Sequence, residues 1–389
     1  MVNLDYASHT QAAEEVLAEF CRVVRAFSGN PAARHAAGRA ALAEIQRATE
    51  GIAGILGAYP SEIIYTSGAS ESNNLAIKGL TKAYKHVGKH ILSTCLEHPS
   101  VSGTLSALQD QGYEVELVKI QPNGTIDLVH LADVVRPDTI LLCVSAVDSE
   151  LGVIQPIDEI LKILENFPNC HLHVDAAQAV GKIPVRFHAN LSALSASSCV
   201  NPPARISTMS ISPHKFQGLC GFGILLKRDS IVIEPQIHGG KSTTIYRSGT
   251  PATAQISAAY TALKLTIDNL AEHMEYVKNL NQYLHARLAS NPNIIINTAQ
   301  TLSTPYIINI STPNIKAAEM QAKLDAAGIQ ISTKSACSTD NAPSRPVMAI
   351  SRDKKRATTS WRVSLSHLTT MEEIDTLVAA VDKIIRECI

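Results

Sequence analysis

The sequence predicts an α/β protein in two parts: a large domain with a mostly parallel sheet between helices, and a smaller α+β domain. Three observations carry this reading. At 389 residues the chain exceeds what one hydrophobic core usually serves. Hydrophobic residues make up 45% and charged residues 18%, the balance of a globular protein with a large interior. Through the first half of the chain, short apolar runs alternate with helical patterns, as they do where helical crossovers join parallel strands.

In chain order, apolar residues at Val16, Phe20, Val23 and Phe27 form a helical stripe over residues 12–27, ending at Ser28-Gly29-Asn30-Pro31. A second helix over 37–56 carries Ile45, Ile52 and Leu56 and stops at Gly57. Runs at 63–65, 90–92, 115–118, 140–144 and 171–174 read as strands, with helices at 74–83, 101–109 and 157–167 between them. Ile206 to Ser212 alternates apolar and polar residues and reads as one more strand. Beyond Pro251 one long helical pattern runs to 289. A strand at 306–310, a helix at 317–327, strands at 329–332 and 361–365 and a terminal helix at 371–388 follow it. The expected boundaries are a large domain over 13–255 and a small domain from 1–12 and 256–389. No repeat, low-complexity tract or linker interrupts either part.

Composition excludes several classes of function. Thirty-four basic against thirty-five acidic residues give a net charge of -1, so no global field draws the protein to nucleic acid or to an anionic membrane. Eight cysteines are scattered singly without a CxxC, which argues against a disulfide framework and against a zinc or other metal site. The first residues lack a basic region and an apolar run, and no apolar stretch approaches the ~18 residues of a membrane span. A reducing cytoplasm is the expected location.

The chemistry collects at strand ends. The strand over 206–212 delivers Lys215 into a turn with Ser212, His214 and Gly218. Its amine suits condensation with an aldehyde cofactor, while Ser212 and His214 suit donation to a phosphate. Alone, such a turn is also an ordinary surface turn. Thr66 to Asn74 follows a strand and opens a helix, so that the small residues Gly68, Ala69 and Ser70 let backbone N–H groups approach an anion; the plain alternative is an N-cap turn. Asp175 ends an apolar strand where open α/β sheets bind ligands, and its carboxylate can pair with a pyridinium nitrogen. Gln178 lies within reach of a cofactor's phenolic oxygen, and His98 can stack on its ring, although a histidine alone more often just fills space.

The order Ser70, His98, Asp175, Lys215 is that of fold-type I pyridoxal-phosphate enzymes. The chain resembles the cysteine desulfurases of the NifS/IscS type, in the class-V aminotransferase family. The resemblance runs nearly end to end, through Leu4-Asp5-Tyr6-Ala7-Ser8, Gly29-Asn30-Pro31, Thr66 to Asn74, Glu97-His98-Pro99, His173 to Pro184, His214-Lys215-Phe216, Arg247-Ser248-Gly249-Thr250, Ser335-Ala336-Cys337-Ser338 and Arg362-Val363-Ser364-Leu365. It implies that Lys215 holds pyridoxal 5'-phosphate and moves the Cα proton, that His98 relays protons, and that Thr250 of a partner subunit completes the phosphate site of a homodimer. It also implies that Arg362, with Asn30 nearby, takes the carboxylate of L-cysteine. Cys337, in a polar segment over 333–345, would attack the substrate sulfur, release alanine and carry a persulfide to an acceptor protein for iron–sulfur clusters, tRNA or thiolated cofactors.

The chain also departs from the family pattern. The usual Asn-Asn-Glu-Ile-Gly turn is Asp148-Ser149-Glu150-Leu151-Gly152, which puts Ser149 where an asparagine normally bonds the phenolic oxygen. Cys220 follows Lys215 closely and reads as a small buried filler, with a second reactive thiol as the alternative. Residues 191–205 are an apparent surface-loop insertion, and the chain stops soon after its last helix, leaving the sulfur acceptor open. Competing readings are a selenocysteine lyase or another C–S lyase, and a catalytically weak homologue serving as a subunit or sulfur-delivery scaffold.

Overall fold

A computed structural model of the chain describes residues 1–188, 205–333 and 342–388. Cys337 with its flanking motif, and the insertion up to residue 204, lie outside the described residues. The chain opens with a two-residue strand, β1 (Val2–Asn3), followed by α1 (Glu14–Ala26) and α2 (Ala36–Leu56). His35 caps α2 by accepting the N–H of Gly38, and Gly57 ends it at a φ of 62°, a left-handed conformation that favours glycine.

The alternating section then unrolls as β2 (Ile63–Thr66), α3 (Ala69–Ala83), β3 (His90–Ser93), α4 (Pro99–Gln109), β4 (Glu114–Leu117), α5 (Leu128–Val134), β5 (Thr139–Ser145), α6 (Ile157–Leu164), β6 (His171–Asp175), β7 (Ile206–Ile211) and β8 (Gly223–Lys227). These strands form one seven-stranded sheet in the order β2-β8-β7-β6-β5-β3-β4. The ladders from β7 across to β4 are parallel, while β8 runs antiparallel to both its neighbours. One apolar cluster packs α1, α2 and the helix after Pro251 on one face of the sheet, and a second fills the face under α3 and α4.

Two helices, α7 (Thr253–Asp268) and α8 (Leu270–Ala289), replace the single long one expected, with the break at Asn269. The strands β9 (Ile295–Ile296) and β10 (Ile307–Ser311), helix α9 (Ala317–Ala326) and strand β11 (Ile329–Gln330) come next. Helices α10 (Arg345–Ser351) and α11 (Lys354–Thr358), strand β12 (Ser360–Ser364) and α12 (Met371–Cys388) complete the chain. A third apolar cluster gathers Leu4 and Ala7 with residues from Val277 to Ile385. There β1 pairs with β11, and β10 lies between β9 and β12. The segment after β1 then crosses to the large sheet, where Thr10 donates to the His214 carbonyl and Ala13 to that of Gln217. Residues 4–13 therefore touch both parts at the carboxyl ends of the sheet strands.

Candidate active site

A cleft of about 440 Å³ opens beside those strand ends. It is lined by Gly68, Ala69, Ser70, His98, Ser149, Asp175, Gln178, Ser212, His214, Lys215 and Arg362, which brings together most of the residues expected from the sequence. A larger groove of about 610 Å³ beside β1 and β11 has neither lysine nor arginine in its lining, so the convergent chemistry belongs to the smaller cleft.

The cup forms where β2 runs into α3. Thr66 Oγ1 bonds Ser72 Oγ at 2.8 Å and the Gly68 carbonyl at 3.1 Å, folding the turn so that the first helical N–H groups face the cleft. Packing behind the turn is tight: a Cβ at Gly223 of β8 would lie 2.5 Å from the Gly68 carbonyl carbon. Opposite the cup, Ser212 Oγ and His214 Nδ1 are 3.0 Å apart. Burial, then the nearby Lys215, pushes His214 down to about 4, so the ring is neutral at pH 7.

Asp175 ends β6 and is almost wholly buried. Its Oδ1 accepts the N–H of Ala177 at 3.0 Å, and its Oδ2 accepts from Asn73 Nδ2 at 2.8 Å. Asn73 was not singled out by sequence reasoning, yet it organises this wall. Its amide nitrogen also donates to Ser100 Oγ, and its oxygen accepts from Ser210 and from His173 Nε2. The available signal was position: Asn73, Ile77 and Leu80 share one stripe of α3, so a polar residue there is buried and must be satisfied.

Lys215 ends the single helical turn after β7. Its Nζ donates to the Ala7 carbonyl at 2.7 Å and the Ser8 carbonyl at 2.6 Å, and Gln178 Nε2 donates to the same Ala7 oxygen at 2.8 Å. Burial, reinforced by Arg362, pulls the lysine down to about 8 against the opposing pull of Asp5 and Asp175. An amine at that value is partly unprotonated at neutral pH, as a nucleophile must be. Lys182, one turn beyond Gln178, is buried too and donates to its Oε1, which leaves the Gln178 N–H groups facing Ala7 and the cleft.

His98 caps α4: its Nδ1 accepts the Ser100 N–H at 3.1 Å and lies 2.8 Å from Ser100 Oγ. This bonding leaves the ring proton on Nε2. Burial lowers its basicity further, in keeping with a neutral ring. Asp148 does not face the cleft. Its Oδ1 caps the N–H groups of Glu150, at 3.0 Å, and Leu151, which turns the carboxylate into the interior. Ser149 lines the cleft and its carbonyl accepts from Arg362 Nη1 at 2.6 Å. Cys220 overturns the filler reading: it is exposed and lines the cleft.

Arg362, from the middle of β12, is buried with its guanidinium directed at the cleft. Nη2 donates to Asp5 Oδ1 and Ser8 Oγ, both at 2.8 Å, while the buried Nε has no hydrogen-bond partner among the described residues. A guanidinium on the wall of a cleft is a place for an anionic ligand. Asp5, another residue that sequence reasoning left without a role, also accepts from Ser332 Oγ at 3.0 Å. Two expected residues lie elsewhere: Asn30 is exposed, and Thr250, also exposed, lines a separate small pocket with Arg247.

The residues present fit pyridoxal phosphate. A helix start suits the phosphate, a buried acceptor carboxylate suits the ring nitrogen, a neutral imidazole suits the ring face, and a lysine of lowered basicity suits the aldehyde.

Comparison with known proteins agrees. The family model described as Aminotransferase class-V matches residues 2–377. The cysteine desulfurase IscS of Dictyoglomus turgidum is 33% identical over 388 residues, covering 99% of this chain and 95% of its own. That of Pseudoalteromonas translucida is 35% identical over 381 residues, covering 96% and 90%. A solved structure titled NifS-like protein superimposes with a TM-score of 0.90 at 30% identity, covering 99% of both chains.

Proposed function

The chain belongs to the class-V aminotransferase family, and from that premise we propose that it is a pyridoxal-phosphate-dependent cysteine desulfurase. It converts L-cysteine to L-alanine and leaves a persulfide on Cys337. The observation that carries this reading is the convergence of Lys215, Asp175, His98, the anion cup and Arg362 on one cleft. Pyridoxal phosphate, when bound, supplies an electron sink beside the substrate Cα. Gly68, Ala69, Ser70, Ser212 and His214 would hold its phosphate, Asp175 would pair with its ring nitrogen, and Gln178 and Ser149 would serve its phenolic oxygen.

Arg362 receives the substrate carboxylate, its guanidinium held in place by Asp5 and Ser8. Lys215, close to half-neutral near pH 8, takes the Cα proton and returns one as alanine forms. Cys337 as thiolate attacks the substrate sulfur; the S–S bond forms as the Cβ–S bond breaks. A thiol at its unperturbed pKa of ~8.5 is only a few per cent thiolate at pH 7, so a neighbouring proton acceptor raises the rate. His98, neutral with its proton on Nε2, is a donor at that nitrogen, and Nε2 can accept a proton only where the tautomer shifts to Nδ1–H.

We place the protein in a reducing cytoplasm, where its thiols stay available, as a homodimer in which a second copy brings Thr250 to the cup. Among the described residues no helix is long and apolar enough to cross a membrane. The persulfide passes to an acceptor protein. Mass spectrometry after exposure to L-cysteine tests the reading: Cys337→Ala is expected to keep its cofactor absorbance yet form no alanine and carry no persulfide at position 337. Cysteine-dependent alanine production by that variant would overturn the assignment. Alanine formation assayed from cysteine and from selenocysteine separates a desulfurase from a selenocysteine lyase.

A further inference from the structure

We propose that Cys220 is a second sulfur-accepting thiol of the cleft, able to take the outer sulfur of a persulfide. The turn that presents it is fixed on both sides. Gln217 holds a left-handed φ of 63°, giving its N–H to Thr10 Oγ1 at 2.7 Å and accepting that of Ala13 at 3.0 Å. Gly218 donates to the Pro213 carbonyl at 2.8 Å, and a Cβ there would lie 2.6 Å from Pro213 Cβ. Gly221, at a φ of 76°, turns the chain away again. Between these constraints Cys220 is a free, exposed thiol on the wall of the cleft that holds Lys215. The two side chains are close enough for a thiolate at 220 to favour the Lys215 ammonium.

That a ligand belongs in this cleft follows independently from the convergence of Lys215, Asp175 and the buried Arg362 on its wall. The other thiols differ. Among the other described cysteines, burial raises Cys95, Cys143 and Cys170, and Cys21 on α1 and Cys388 on α12 are absent from the cleft lining.

The step balances without an oxidant. Cys220 thiolate attacks the outer sulfur of R–S–SH, a new S–S bond forms on Cys220, and the old one breaks. R–S⁻ then takes up the proton that Cys220 released. When R–S–SH is the Cys337 persulfide, the inference rests on the function proposed above.

Two experiments separate them. In the first, the full chain with its cofactor is given L-cysteine and every cysteine peptide is analysed by mass spectrometry. Persulfide is expected on Cys337 and Cys220 but not on Cys21, and Cys220→Ser removes only the second. In the second, Cys337→Ala protein is treated with glutathione persulfide, which needs no desulfurase chemistry. Cys220 is expected to be modified about tenfold faster than Cys21. Equal or slower modification of Cys220 in this arm overturns the proposal, and so does its absence from a first arm in which Cys337 is loaded. Failure to form alanine or any persulfide in the first arm strikes the desulfurase reading instead, while the second arm still decides Cys220.

Discussion

Asp148 is buried with one carboxylate oxygen, Oδ2, that has no hydrogen-bond partner among the described residues. Burial, then repulsion from Glu150, raises it from an ordinary 3.8 to about 7. A carboxyl raised in the folded state contributes fully below its unfolded value, and the contribution fades as pH rises through the folded one. Asp148→Asn keeps the Oδ1 cap of residues 150 and 151 and removes the buried charge. The variant is therefore expected to gain stability relative to the parent between about pH 4 and 7, by up to ~4 kcal/mol, and to hold that gain above pH 7. Urea unfolding across that range checks it; a difference independent of pH would show that ionisation is not the cause. Residues such as Asp175 and Lys215 were legible because they stand at a strand end or in the small, polar turn just past one. Asn73 and Asp5 were not, since their importance comes from what tertiary packing sets against them: Asp175, Ser210 and His173 around one, Arg362 and Ser332 around the other.

Elements show the same division between local pattern and tertiary context. The parallel strands and their crossover helices follow from apolar runs and helical periodicity, but β8 escaped that reading. Its sequence Gly-Ile-Leu-Leu-Lys is short, does not alternate, and ends in a lysine. The strand is buried throughout because Lys227 gives its ammonium to the carbonyls of Arg228 and Ile231. The break between α7 and α8 was hidden because apolar periodicity continues on both sides of Asn269. Helix α10 shows an element end serving the site. Ser344 caps it by accepting from Val347 N–H at 3.2 Å and donates to Glu150 Oε2 at 2.6 Å, joining the helix to the turn that contains Ser149. Ser344→Ala loses both bonds, at an expected cost of about 1–2 kcal/mol. A lower urea midpoint with an unchanged m-value checks it, and an unchanged midpoint would mean that neither bond matters.

At the scale of the whole molecule, the cleft of one chain is built from both its parts but lacks Thr250. That residue is exposed, on a segment tied to α3 by the Arg247–Glu71 ion pair at 3.0 Å. If the proposed homodimer brings Thr250 of one copy to the cup of the other, then Lys215 and Thr250 serve different sites when they come from the same chain. Lys215→Ala removes the amine of a subunit's own site. Thr250→Asp sets a negative charge against the phosphate of the neighbouring site, where like charges repel. Each variant alone is expected to be inactive or nearly so, with the aspartate variant losing its cofactor on dialysis. Dimers mixed from the two contain one site that joins an intact Lys215 to an intact Thr250, and one site with both defects. Alanine production is therefore expected to reappear on mixing, at about half the parental rate per mixed dimer, because only one site of two is whole. If the mixture does no better than the sum of its parents once dimer exchange has been verified by mass spectrometry, Thr250 acts within its own subunit and the shared-site arrangement is wrong.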